Sequence, residues 1–122
     1  MEKQGFMKII FLCSSVEAGR DGVGDYTLRL ASELVNQGHL AAVIALNDRF
    51  ITLRYIGTQH SEGCDLPVLR IPSGYSAKQR VEEAKKYIEE FNPDILSLQF
   101  VIFGFHPKGL PFGIEKQLKI LI

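Results

Sequence analysis

Cys13-Ser14-Ser15-Val16-Glu17-Ala18-Gly19-Arg20-Asp21-Gly22-Val23-Gly24-Asp25-Tyr26 decides how the chain is read. The apolar run Ile9-Ile10-Phe11-Leu12 enters this stretch, a helical pattern leaves it at Asp25, and Gly22 and Gly24 stand at the junction. Strand, glycine loop and helix N-terminus in that order suit an anion. The first turn of a helix carries unpaired N–H groups and about half a positive charge, and glycine lets a phosphate approach the backbone. A phosphate-bearing ligand is the functional expectation. The plain structural alternative is that Gly22 and Gly24 only supply left-handed turn conformations at the helix entrance.

Working outward, Lys8 to Cys13 and Leu40 to Leu46 are continuous apolar runs without alternation, as strands covered on both faces of a parallel sheet should be. Between them Leu30, Ala31, Leu34 and Val35 recur at helical spacing, with Asp25 as the expected N-cap and Gly38 as the stop. The result is a βαβ unit with its two strands parallel neighbours. Arg49 to Pro67 reads as a loop containing a short extended piece, and Val68 to Ile71 as a short third strand closed by Pro72-Ser73-Gly74. Ser76 caps an amphipathic helix to about Phe91, with Val81, Ala84, Ile88 and Phe91 on one face and a solvated charged face opposite. Asp94 to Phe100 is the fourth strand, Gly104 to Pro111 a loop, and Phe112 to Ile122 a further helix.

The fold class is therefore α/β, an open parallel sheet with Rossmann-like βαβ units. Ligands of such sheets lie beyond the carboxyl ends of the strands, where the strand order reverses. The exit of the first strand and that of the fourth, which leads through Gln99 to His106, should face one crevice.

At 122 residues the chain has the size of one domain. Its 14 basic and 14 acidic residues cancel, so no net field favours nucleic acid or an anionic membrane. The apolar run ending at Cys13 is too short for a signal sequence or a transmembrane segment. Cys13 and Cys64 lack any metal-type spacing and read as two reduced thiols of a cytoplasmic protein. His39, His60 and His106 share no metal spacing, so no metal or cofactor is expected; His39 and His60 read as solvated loop side chains.

Gly22-Val23-Gly24-Asp25-Tyr26-Thr27 approximates the dinucleotide pattern GxGxxG, with Asp48 where a ribose-binding carboxylate would stand. Against this, the loop from Cys13 to Gly22 is long and the third glycine is Thr27. No Gly-Lys-Ser/Thr follows, so the P-loop pattern is absent. His106 sits on a glycine- and proline-fixed loop at the expected ligand edge, where an imidazole can meet a sugar hydroxyl or a phosphate, with Lys108 beside it as a solvated charge. Gln99 is either a satisfied core amide or a ligand contact at the strand end. Phe100, Phe103, Phe105 and Phe112 crowd the same region. No nucleophile with a base and no paired carboxylates can be read, so the residues offer a place to bind without evident chemistry.

Gly22-Val-Gly-Asp-Tyr-Thr-Leu-Arg-Leu-Ala31 after a first strand, the helix exit Glu33-Leu-Val-Asn-Gln-Gly-His39, and Asn92-Pro-Asp-Ile-Leu-Ser-Leu-Gln-Phe100 together resemble the N-terminal domain of GT-B glycosyltransferases, most closely the family 4 (group 1) retaining enzymes. The resemblance runs from Lys8 to about Leu121 and is weakest over Arg49 to Pro67. It implies that residues 1–122 form a single Rossmann-like N-terminal domain, the acceptor side of an enzyme that moves a sugar from a nucleoside-diphosphate sugar donor to a sugar or glycan acceptor. The C-terminal donor-binding domain would be missing, which would leave this piece alone inactive. Gly22, Val23, Gly24 and Asp25 would face the donor phosphates, His106 would serve at the donor sugar, and Gln99 would contact substrate. Two other readings remain: a nicotinamide-binding Rossmann domain, and a stand-alone α/β interaction module that self-associates through an exposed sheet edge.

Overall fold

The structure is a computed structural model that describes residues 7–99. Five strands and two helices follow in the order β1 (Lys8–Cys13), α1 (Gly22–Asn36), β2 (Leu40–Asp48), β3 (Tyr55–Ser61), β4 (Cys64–Pro72), α2 (Ala77–Phe91) and β5 (Ile95–Leu98). They make one sheet in the order β3-β4-β2-β1-β5. β1 pairs in parallel with β2 and with β5, β2 pairs in parallel with β4, and β3 runs antiparallel to β4.

β1 and β2 are the strands their apolar runs indicate. Ile9 to Cys13 are at most 5% exposed, so both faces are covered. Ile9, Phe11 and Cys13 pack with Leu28, Ala31, Val43 and Val68 beneath α1. Ile10 and Leu12 pack with Ile44, Leu69, Ala84 and Ile88 beneath α2. The helices lie on opposite faces for a topological reason: α1 carries the chain from β1 outward to β2, whereas α2 carries it back across the sheet to β5. Crossovers of one hand travelling in opposite directions cover opposite faces. The reversal falls between β1 and β5, with the strand order of Rossmann-like α/β folds from β4 to β5.

Three expectations need correction. The sheet is mixed rather than all parallel, because Arg49 to Pro67 is a loop only as far as Arg54: beyond it the segment supplies β3 and the first residues of β4, joined by a two-residue turn. Glu62 and Gly63 take φ of +49° and +82° in that turn, the left-handed conformations that match hairpin twist. Helix α1 begins at Gly22, and its N-cap is Asp21, whose side chain accepts from the Gly24 N–H; Asp25 lies inside the first turn. Gly22 and Gly24 are thus helical, and the left-handed glycine of this loop is Gly19, at φ +74°. α2 follows its sequence pattern, with Ser76 and Gln79 forming a reciprocal capping box and Asn92 closing it in the left-handed region. His106, Lys108, Phe100, Phe103, Phe105 and the helix expected over Phe112 to Ile122 lie outside the described residues.

Candidate functional site

The carboxyl ends of the parallel strands gather around one buried carboxylate. Asp48, at the end of β2, is fully buried, and its two oxygens accept four hydrogen bonds. Oδ1 takes the Ser15 hydroxyl at 3.2 Å and the Phe50 N–H at 3.0 Å. Oδ2 takes the Val16 N–H at 3.4 Å and Arg70 Nε at 2.7 Å. Arg70 reaches on to Glu17 at 2.7 Å, and the Ser15 hydroxyl accepts from the Glu17 N–H. Burial opposes the charge of Arg70, yet the hydrogen bonds to Asp48 and Glu17 outweigh it and hold the guanidinium above its ordinary pKa. The loop after β1, the loop after β2 and the strand β4 are thus fastened to one another.

This arrangement spends Asp48. A carboxylate offers about four acceptor positions, and all are filled from within the protein. It presents nothing to a ribose, which removes the residue that made a nicotinamide site attractive.

Above this anchor stands the N-terminus of α1. A Cβ on Gly24 would overlap the carbonyl oxygen of Ser15 and come 3.1 Å from Val16 Cα, so only glycine lets the helix sit against the loop. The Gly24 N–H goes to Asp21 Oδ1 at 3.0 Å, and the Asp25 N–H to the Asp21 carbonyl at 2.9 Å. The Asp25 carboxylate accepts from the Gly19 N–H at 3.2 Å. Of the four residues expected to face phosphates, Gly24 and Asp25 therefore have their amides engaged. Gly22 is exposed with open space around it, Val23 is half-buried, and neither N–H has an acceptor among the described residues. The two are the amides a ligand can reach.

Beside this helix start two arginines share one aromatic ring. Arg20 lies 5.1 Å and Arg49 4.8 Å from the ring centre of Phe50. Both are exposed, and neither forms an ion pair among the described residues. Nothing in composition or motif spacing points to this trio, since Arg20 and Arg49 belong to different loops.

Gln99 lies where the sequence puts it, at the end of β5. Its N–H donates to the Leu12 carbonyl at 2.7 Å and so extends the β1–β5 ladder past the strand exits. Its side-chain amide, half-buried, donates to the Ser97 hydroxyl at 2.9 Å, and its oxygen has no partner among the described residues. His39 is not a solvated loop histidine: it is half-buried and its Nδ1 accepts from the Met7 N–H. His60 is exposed and pairs across the hairpin with Asp65.

Both cysteines are free. Cys13 is buried; burial foremost, then the charges of Asp21 and Asp48, push its thiol far above the ordinary range. Iodoacetamide at pH 8 is therefore expected to modify half-buried Cys64 first and leave Cys13 untouched until the chain unfolds, as peptide mass spectrometry would read. Equal labelling of Cys13 in native and urea-unfolded protein would contradict this burial.

Among the described residues no group of three or more His, Cys, Asp or Glu could hold a metal ion, and no helix is long and apolar enough to cross a membrane. Searches of protein-family models, curated proteins and solved structures return no match.

Proposed function

We propose that this domain is the N-terminal, acceptor-side domain of a retaining GT-B glycosyltransferase, with the amides of Gly22 and Val23 directed at the diphosphate of a nucleoside-diphosphate sugar. The observation that carries the reading is the pair of amides at the start of α1 that have no acceptor among the described residues, fixed beside the exit of β1 by the contact of Gly24 with Ser15. A backbone that approaches a ligand there needs no side chain to bind phosphate. The reversal of strand order next to β1 supports the same location, because ligands of open α/β sheets lie beyond the carboxyl ends of the strands at such a reversal. The sugar-transfer chemistry would come from residues beyond these, with a second domain closing over the donor.

Gly22→Pro tests this cleanly. Proline suits the first position of a helix, Asp21 already has the extended conformation (φ −140°, ψ 109°) that a residue before proline prefers, and space at Gly22 is open. The substitution removes one amide donor and leaves the fold. A charge-assisted hydrogen bond is worth about 1.5 to 3 kcal/mol, so binding of uridine or guanosine diphosphate, followed by calorimetry, should weaken roughly tenfold or more with the melting temperature kept. Unchanged affinity for whichever nucleotide binds, or no binding of either, would overturn the assignment. Reduced nicotinamide cofactor should show no fluorescence change with the protein.

A further inference from the structure

Two positive charges held on one ring, neither in an ion pair among the described residues, mark a place for an anion. We propose that Arg20 and Arg49, brought together on Phe50, bind a phosphate group of the acceptor, so that the acceptor is a phosphate ester and not a neutral glycan; as an acceptor site this rests on the glycosyltransferase reading above.

The cluster is built rather than incidental. The Phe50 N–H is fixed to Asp48 Oδ1, and the same carboxylate holds Ser15 and Val16 of the loop that carries Arg20. One buried group thus sets the positions of both arginine-bearing loops. Guanidinium is the side chain suited to a phosphate, since its planar fork gives two parallel donors to two oxygens. Lying over an aromatic ring restrains an exposed arginine without consuming its N–H groups.

The helix start beside them offers backbone amides but no side-chain cation. Asp21 and Asp25 already place two carboxylates there. The positive charge available to a ligand at this edge comes from the arginines. Arg20 shares its loop with Gly22, whereas Arg49 and Phe50 follow β2, which flanks β1 on the side away from β5, so a ligand held by both arginines extends toward the β2 exit.

A phosphate ester of this kind is offered by a soluble sugar phosphate or by a phospholipid headgroup. The test is titration of the full chain with glucose 6-phosphate, and separately with glucose, followed by amide and arginine side-chain NMR, together with co-sedimentation on vesicles of phosphatidic acid in phosphatidylcholine against phosphatidylcholine alone. Saturable binding of glucose 6-phosphate without binding of glucose is expected if the source is a soluble ester, and vesicle binding only with phosphatidic acid if it is a lipid. In either arm Arg20→Gln and Arg49→Gln should each weaken binding about three- to tenfold and the double variant should abolish it, with melting temperatures unchanged because both side chains are exposed. Wild-type binding by the double variant, equal binding of glucose and its phosphate, or no binding in either arm would overturn the proposal. Nucleotide binding that responds to Gly22→Pro and not to Arg49→Gln keeps the two sites distinct. Arginine-dependent binding of the ester without any nucleotide binding would leave the anion site standing and bring down the glycosyltransferase reading.

Discussion

Asp48→Ala is expected to cost about 3 to 5 kcal/mol of folding stability, as removal of one partner from a buried ion pair does. The loss comes less from the missing attraction than from what stays behind. Arg70, whose side chain is only 14% exposed, loses the carboxylate that outweighs its burial, and the amides of Val16 and Phe50 lose their acceptor. Asp48→Asn should do little better. An amide keeps one acceptor oxygen, but its NH2 group then faces either Arg70 Nε and the Val16 N–H or the Ser15 hydroxyl and the Phe50 N–H. With small-domain stability of about 5 to 15 kcal/mol, the urea midpoint should fall by roughly 2 M. Arg70→Met, which strands the carboxylate instead, should cost a comparable amount. The combination Asp48→Val with Arg70→Met should be less damaging than the two single losses added, since neither charge remains buried alone. Additive losses would mean that the pair is not coupled.

Gly24→Ala and Gly22→Ala, two residues apart in one helical turn, are expected to move stability in opposite directions. At Gly24 the new methyl meets the backbone of Ser15 and Val16, and backbone cannot rotate away as a side chain can. The N-terminus of α1 must lift from the loop, at a cost of about 1 to 3 kcal/mol or more. At Gly22 nothing lies within 4 Å, and alanine restricts the unfolded chain in favour of helix, a gain of about 0.4 to 1 kcal/mol. Thermal melts of the two variants should differ by about 10 °C or more. Equal melting temperatures would show that α1 does not rest on the loop. Loss of ligand binding in a Gly24 variant therefore reports on packing as much as on phosphate, which is why Gly22 is the residue to change.

What the sequence made legible follows from where its signals are local. β1, β2 and α2 were readable because each carries its own pattern: an apolar run buried on two faces, or an apolar stripe behind a Ser76 cap. The start of α1 was displaced because glycine disfavours helix interiors, so Gly22 and Gly24 read as loop; the cap lay in Asp21, with its acceptor three residues before Gly24. β3 was missed because Tyr55 to Ser61 is mostly exposed, and because glutamate is an uncommon residue at the positive φ that Glu62 adopts. The anchor around Asp48 could not be read at all, since its partners Arg70 and Glu17 stand far along the chain in either direction. The one available hint was chemical: an arginine inside the apolar run Val68 to Ile71, and an aspartate at the end of another, each require a partner once buried.

The strand order has a kinetic side. β1 comes before the other strands in the chain but lies between β2 and β5, and its contact with β5 joins Lys8 to Asp94, 86 residues apart. Closing so long a loop costs entropy before any ladder repays it, whereas the β3–β4 hairpin closes across two residues. The hairpin can form within microseconds, early in assembly. One side of β1 stays unsatisfied until β5 docks, and any chain shortened before Ile95 keeps the backbone of Ile10 and Leu12 as an open edge for a neighbouring molecule.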